Sequence, residues 1–438
     1  MKNCIAITLV CLVIVVEIVS GQEKKSTDFP SDFGQRAMDH VMALVQLGPR
    51  AAGSPEERDA AVYVRDQFEK LGLAANVEPF EFETFTIKES KLSVCEVEAR
   101  PRMLGFNPYR GEFSFEGQPV FIPPDVGGGD LSKIPLADGF VITADPAPFF
   151  PLMFGKPRVI IYLEAKIYES LAAVSCPIAR LKIDGEPARG WSANVVATIG
   201  SIDTLATEIV ICAHHDSYPQ SPGADDNASG IGVLIELARY FATHGVQSGV
   251  RLRFVAFGAE ELGVLGSRCY LDAHREELAR CALLVNIDQV GGPKGPYIEM
   301  TGGVSGIQDA KIENRFPDDV RNRAWEAMDG SWKIVDLRVV ERFMVSNRPS
   351  WLTDLIAESG SAISCELIPT GNMGGDQQVF TQAGIVATSI GSSGNIYHKP
   401  EDTQGQVVVD QMRVAGWLVA EITTRLMEGH LGAKDNMR

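Results

Sequence analysis

The stretch TEIVICAHHDSYPQSPGADDNASGIGVLIELARYFATHG, residues 207–245, decides how this chain folds. Its first part, Ile209 to Ala213, is apolar without alternation. A short apolar strand of that kind is buried on both faces, which is the habit of parallel sheets covered by helices. Pro, Gly, Ser and Asp then punctuate a loop. After it, Ile231, Leu234, Ile235, Ala238 and Phe241 recur at helical spacing and predict an amphipathic helix.

The same strand–helix texture continues on both sides. NVVATIG (194–200), RLRFVAFG (251–258), ALLVNID (282–288) and GIVATSIG (384–391) read as strands. LGVLGSRCYLDAH (262–274) and VVVDQMRVAGWLVAEITTRLM (407–427) read as helices. Alternating β and α elements imply an α/β fold, with a mostly parallel (mixed) central sheet and helices on both faces. Upstream, Phe33 to Leu47 carries helical apolar spacing and stops at Gly48-Pro49. GSPEERDAAVYVRDQFEKLGL (53–73) starts a second helix with Ser54 as N-cap, Pro55 at the first position and Glu57 completing a capping box.

Two segments stand apart. Residues 1–21 combine Lys2, an apolar run from Cys4 to Val16 and the small residues Ser20 and Gly21, the pattern of a cleaved secretory signal. The expectation is an exported protein, secreted or otherwise extracytoplasmic, with no membrane contact beyond export. Residues 87–191 cluster Pro and Gly (IPPDVGGGD, DPAPFFPLMFGKP) between short strand-like runs and read as a β-rich insertion. That leaves 22–86 and 192–438 for the main domain. PKGPYIEM through VSNRPSW, within 291–351, reads as a lid or specificity segment. With 438 residues and a net charge of −17, the chain can bury a large core and is a poor partner for nucleic acid. The cysteines are sparse and unpatterned, so they form no zinc framework, and their pairing is not assignable from spacing.

Histidines and carboxylates collect where the predicted strands end. His214 and Asp216 follow TEIVICA; Asp225 and Asp226 precede the next helix; Glu260 and Glu261 follow RFVAFGA; Asp288 ends ALLVNI; His398 follows the last strand. Ligand sites in open α/β sheets form at the carboxyl ends of strands. Taken singly, each of these is an ordinary loop or cap feature. In this order, and each at a strand end, they suit Zn²⁺, with Co²⁺ or Mn²⁺ as substitutes, and the set is large enough for two ions. Near a strand end residues i and i+2 share a side, so Asp216 can orient the imidazole of His214 while His215 turns away. Nothing in the spacing chooses between Asp225 and Asp226.

This ordered set resembles peptidase family M28, the zinc-dependent exopeptidases, in its aminopeptidase-like branch. The resemblance runs through GPRAAGSPEERDAAVYV, AHHDSYPQSPGADDNASG, FVAFGAEELGVLGS, NIDQVG and GGDQQVFTQAGI to YHKPEDT. It implies the zinc-exopeptidase fold. It also implies His214, Asp226, Glu261, Asp288 and His398 as metal ligands, with Asp226 shared between two zinc ions. Glu260 is then the general base acting on a metal-bridging water, and Asp216 a supporting carboxylate. The insertion stands where many relatives carry a protease-associated (PA) domain. Gly375-Asp376-Gln377 replaces the family's common Ser-Asp-His, and Lys399 a common Thr, so the resemblance does not carry substrate preference across. The expected activity is removal of N-terminal residues from peptides. A carboxypeptidase or other amidohydrolase of the same fold, a glutaminyl cyclase and a non-catalytic receptor-like ectodomain are the alternatives.

Overall fold

A computed structural model of the chain describes residues 29–101, 103–104, 113–122, 140–145, 159–174, 178–299, 349–370, 374–393, 396 and 398–430. The expected signal segment, both Pro/Gly clusters of the insertion and most of the proposed lid lie outside the described residues. No helix among the described residues is long and apolar enough to cross a membrane.

The chain enters through helices α1 (Phe33–Val45) and α2 (Pro55–Lys70) and then runs into a long strand, β1 (Ala74–Val94). Ser54 caps α2 as expected, accepting the backbone N–H of Glu57 at 3.1 Å. The reciprocal half of the capping box is not made. The Glu57 carboxylate accepts from the N–H of Gly53, from the Ser192 hydroxyl and from the N–H of Ala259 instead. A side chain read as a local cap thus ties α2 to the loop that carries Glu260 and Glu261.

Short strands β2 (Val97–Ala99), β3 (Met103–Leu104), β4 (Phe113–Gly117), β5 (Pro119–Ile122), β6 (Phe140–Asp145) and β7 (Val159–Glu164) follow, then helix α3 (Ala165–Ala172). Strand β8 (Ala179–Gly200) returns antiparallel to β1 along nearly its whole length, with Ala74 opposite Thr198 and Val94 opposite Ala179. The β1–β8 ribbon therefore belongs to the main sheet at one end and to the insertion at the other. At the far end it closes a separate apolar cluster of Leu92, Ile142, Ile161, Leu163, Leu171 and Leu181. A second sheet, ordered β3–β7–β6–β5, backs that cluster.

The main domain is completed by β9 (Thr207–His214), α4 (Gly230–His244), β10 (Val250–Phe257), α5 (Leu265–Ala273), β11 (Cys281–Ile287), β12 (Lys294–Glu299), α6 (Ser350–Ala362), β13 (Ile368–Thr370), α7 (Gln377–Gln382), β14 (Ala387–Ser393) and α8 (Val409–Arg425). The sheet order is β13–β12–β14–β11–β9–β10–β8–β1–β2, and β4 pairs with β8 off this path. Its centre, β14–β11–β9–β10, is parallel, while β12, β8 and β1 add antiparallel edges. Alternation along the central strands splits the core in two. Ile209, Ile211, Phe254, Leu283 and Val285 face the helices α1, α2, α4, α6 and α8. Val210, Cys212, Val255 and Leu284 face α5 and α7, where Tyr270 and Phe380 pack. The unalternating strand in residues 209–213 is thus buried on both sides, as its composition requires. Cys95 is disulfide-bonded, whereas Cys212, Cys269 and Cys365 are free thiols.

Buried charge on the helical face is matched. The Glu236 carboxylate of α4 accepts from Arg36 at 2.6 Å, Arg239 at 3.0 Å and the His40 ring at 3.2 Å. Burial alone would raise its pKa, but these three donors together hold it down at about 2. A depressed carboxylate stabilises the fold above its unfolded pKa and loses that contribution as pH falls toward the folded value. Glu236→Gln is therefore expected to destabilise the protein by about 1–3 kcal/mol at neutral pH, allowing for the partly exposed arginines. The difference from wild type should shrink as pH drops from the ordinary carboxylate range toward 2. Urea midpoints at pH 7 and pH 3 measure it; an equal difference at both would remove the carboxylate from the explanation.

Candidate metal centre

Three loops at the carboxyl ends of β9, β10 and β11 meet, together with the segment after β14. His214, the last residue of β9, places Nε2 3.2 Å from Asp226 Oδ1 and 3.4 Å from Asp288 Oδ1. His398 places its Nε2 3.0 Å from Glu261 Oε2 and 3.5 Å from Asp226 Oδ2. Two donor groups result, His214–Asp226–Asp288 and Asp226–Glu261–His398, with the ligand atoms of each within 4.8 Å of one another. Asp226 is common to both and offers one oxygen to each side. Asp226 Oδ2, Glu261 Oε1 and Asp288 Oδ1 are buried without hydrogen-bond partners. Buried acceptors left open in this way fit a cation better than they fit each other. Imidazole with carboxylate is a donor set that suits zinc.

The doubled residues separate cleanly. Asp216 sits with Oδ1 3.4 Å from His214 Nδ1. Its two oxygens also accept the backbone N–H groups of Glu260 at 3.0 Å and Glu261 at 3.1 Å. One carboxylate thus lies beside the imidazole of one donor group and holds the backbone of the other. His215 is fully buried and lines a groove with Trp191 and Val77, away from both donor groups. Asp225 turns aside to accept the Gly291 N–H at 2.7 Å and the Ser229 hydroxyl at 3.2 Å. The peptide between Asp226 and Asn227 is cis. Asn227 donates to the Ile287 carbonyl at 2.9 Å and is fully buried, so the Asn227-Ala228-Ser229 sequon is closed to modification.

Glu260 belongs to neither donor group and stays partly exposed. Burial holds its pKa well above the usual carboxylate range; Asp376, Glu261 and Asp288 add to this and His214 opposes it. For His214, burial pulls the pKa down, but Asp288, Asp216 and Asp226 outweigh it and hold the ring well above its ordinary value. Left-handed backbone concentrates here, at Ala259 (φ 52°), Gln289 (φ 55°) and His398 (φ 63°), each at or beside a site residue. Such conformations persist only where the surroundings impose them. Tyr218 stacks on the His398 ring at 4.4 Å and 11°, which helps hold it.

Two supporting residues, Arg50 and Asp402, carry roles that the sequence does not signal, and Asp376 is buried close by. Arg50 is fully buried and donates to the carbonyls of His215, Pro222 and Gly223 at 2.9, 2.7 and 2.9 Å. Burial lowers it to about 10 against the pull of Asp216, Asp402, Asp226 and Glu261, so it remains a cation at neutral pH. Gly223 is needed beside it, because its φ of +63° is left-handed and a Cβ there would come within 2.8 Å of the guanidinium. Asp402 accepts the N–H groups of Asp225 at 2.7 Å and Asp226 at 3.1 Å, so it holds the shared aspartate from the same segment that supplies His398. Asp376 is fully buried and pushed up to about 7, by burial first, against His214. Arg50 lies far from the ligand motifs in sequence, and Asp402, though it shares the YHKPEDT segment with His398, carries nothing local that signals burial.

Residues 194–324 match peptidase family M28. Aminopeptidase YwaD of Bacillus subtilis (strain 168) is 50% identical over 84 residues, 19% of this chain and 18% of that protein. Leucine aminopeptidase 2 of Trichophyton equinum is 31% identical over 121 residues, 25% of this chain and 24% of that one. These matches span only about a fifth to a quarter of the relatives' own length. Among solved structures, an aminopeptidase from Aneurinibacillus sp. strain AM-1 aligns with a TM-score of 0.60 at 22% identity, covering 92% of this chain and 95% of that one. BSAP, a zinc aminopeptidase from Bacillus subtilis, aligns at 0.61 and 20% identity, covering 91% and 96%. At such identities the likeness establishes a shared fold.

Proposed function

We propose that this chain, which carries peptidase family M28 sequence across residues 194–324, is an exported dinuclear zinc exopeptidase that removes N-terminal residues from peptides. One observation carries the reading: the two oxygens of Asp226 face two different donor groups, His214 with Asp288 and Glu261 with His398. Zinc bound there would polarise the scissile carbonyl and lower the pKa of the attacking water. The protein's own residues do the rest. Asp216 holds His214 and the Glu260–Glu261 backbone in register. Glu260, outside both donor groups, takes the proton of the attacking water and returns it to the leaving amine.

The commitment of the one arginine acting on this cluster among the described residues favours an amino terminus over a carboxy terminus. Arg50, the arginine whose charge acts on this cluster, spends its guanidinium on three backbone carbonyls and is unavailable to a substrate carboxylate. The disulfide at Cys95 accords with the oxidising compartment that the N-terminal signal pattern implies.

A panel of aminoacyl p-nitroanilides, each with its N-acetylated counterpart, tests the proposal on zinc-loaded protein. The free-amine substrates are expected to be cleaved and the acetylated ones spared. A chelator should abolish turnover and zinc restore it. Release of residues from the carboxy end would turn the assignment to a carboxypeptidase. No cleavage of any amino-acid amide or peptide would end the exopeptidase reading.

A further inference from the structure

The departure at Gly375-Asp376-Gln377 has a structural counterpart under one of the two donor groups. Gln377, the first residue of α7, is fully buried. Its Nε2 donates to Glu299 Oε2 at 2.6 Å and to the Gly374 carbonyl at 2.7 Å, while its Oε1 accepts from Asn286 Nδ2 at 3.0 Å. The orientation of the amide follows from its partners, since a carbonyl can only accept. Asn286 in turn accepts the Cys212 thiol at 3.6 Å and stands two residues before Asp288 at the end of β11.

The turn that Gln377 grips lies against Asp288 itself. Gly375 has a φ of +104°, and a Cβ added there would sit 3.3 Å from Asp288 Oδ2 and 3.1 Å from Gln377 Oε1. Asp288 Oδ2 therefore faces this turn at close range, while Oδ1 faces His214. Glu261 and His398 belong to the other donor group, across Asp226. We propose that Gln377 is a positioning residue for Asp288, setting the affinity of the ion held by His214 and Asp288 without acting on its neighbour. An amide suits the place because it donates to a buried carboxylate and accepts from an amide at once, with no proton to gain or lose. A neutral imidazole, the family's common residue here, offers one donor and one acceptor, enough for the Glu299 and Asn286 links without the one to Gly374.

The inference rests on the dinuclear reading above, and the test separates the two. Stepwise zinc affinities of the full-length protein are measured by competition with 4-(2-pyridylazo)resorcinol. Gln377→Met is expected to weaken one of the two zinc equivalents by about tenfold, the scale on which supporting residues act on metal affinity, and to leave the other within about twofold. In an Asp288→Asn background the same change should have no further effect, and Gln377→His should restore wild-type binding. Gly375→Ala, which crowds Asp288 through the same turn, should weaken the same equivalent and serves if Gln377→Met does not fold. Unchanged affinities, or both falling together, would overturn the role of Gln377. Wild-type protein that binds fewer than two zinc equivalents would overturn the dinuclear reading instead.

Discussion

Replacing Glu260 with glutamine is expected to lower kcat by about 10²–10⁴-fold, the span a positioned general base contributes, while both zinc equivalents stay bound. The two halves of this expectation come from different features. Metal retention follows because the Glu260 carboxylate is in neither donor group, whereas its neighbour Glu261 lies 3.0 Å from His398. Backbone geometry is also preserved, since Asp216 grips Glu260 through its main-chain N–H. Loss of turnover follows because glutamine keeps the shape and cannot accept the proton. Zinc content by metal analysis and kcat on an aminoacyl p-nitroanilide decide it together. Turnover near wild type would take the base assignment away from Glu260. Loss of zinc along with turnover would make Glu260 a ligand.

How much of this was legible in the sequence depended on whether the controlling contact was local. The strand at 209–213 announced a parallel, doubly covered sheet because burial on both faces leaves no polar alternation. The choice of His214 over His215 was also local, since two-residue periodicity at a strand end carries through to Asp216. The choice between Asp225 and Asp226 was not. It is made by Asp402, which holds both backbone N–H groups, and by Gly291, which captures the Asp225 carboxylate. Those partners come from loops far away in the chain. Glu57 shows the reverse failure. A capping box is a sound reading of Ser54 to Glu57, yet half of it is overridden by the pull of Ala259 and Ser192 on the carboxylate. Arg50 carried no signal, because burying a guanidinium among three carbonyls is a property of the assembled loop. In each case the missed residue serves the site by holding backbone in place. Backbone contacts leave no pattern of residue types to read.

The adjacent aspartates give the second large expected effect, as a contrast between single substitutions. Asp226→Asn should weaken zinc binding by at least about 100-fold for one ion, beyond the 10–100-fold cost of losing a mere supporting group, and should abolish turnover. An asparagine offers one carbonyl oxygen and no charge, so it cannot serve His214's group at Oδ1 and His398's group at Oδ2 together. Asp225→Asn should stay within about threefold of wild type in both affinities, far below the effect of removing a donor. Asparagine keeps an oxygen for the Gly291 N–H and the Ser229 hydroxyl. Burial and Asp402 already push Asp225 up to about 7, so losing its charge changes little near neutral pH. Zinc stoichiometry after dialysis against buffered free zinc measures both variants side by side. Equal losses would mean that the pair acts as one acidic patch, and the reverse order would move the shared ligand to Asp225. The asymmetry is the sharper observation, because the two residues have the same chemistry and nearly the same burial. They differ only in where the backbone points them.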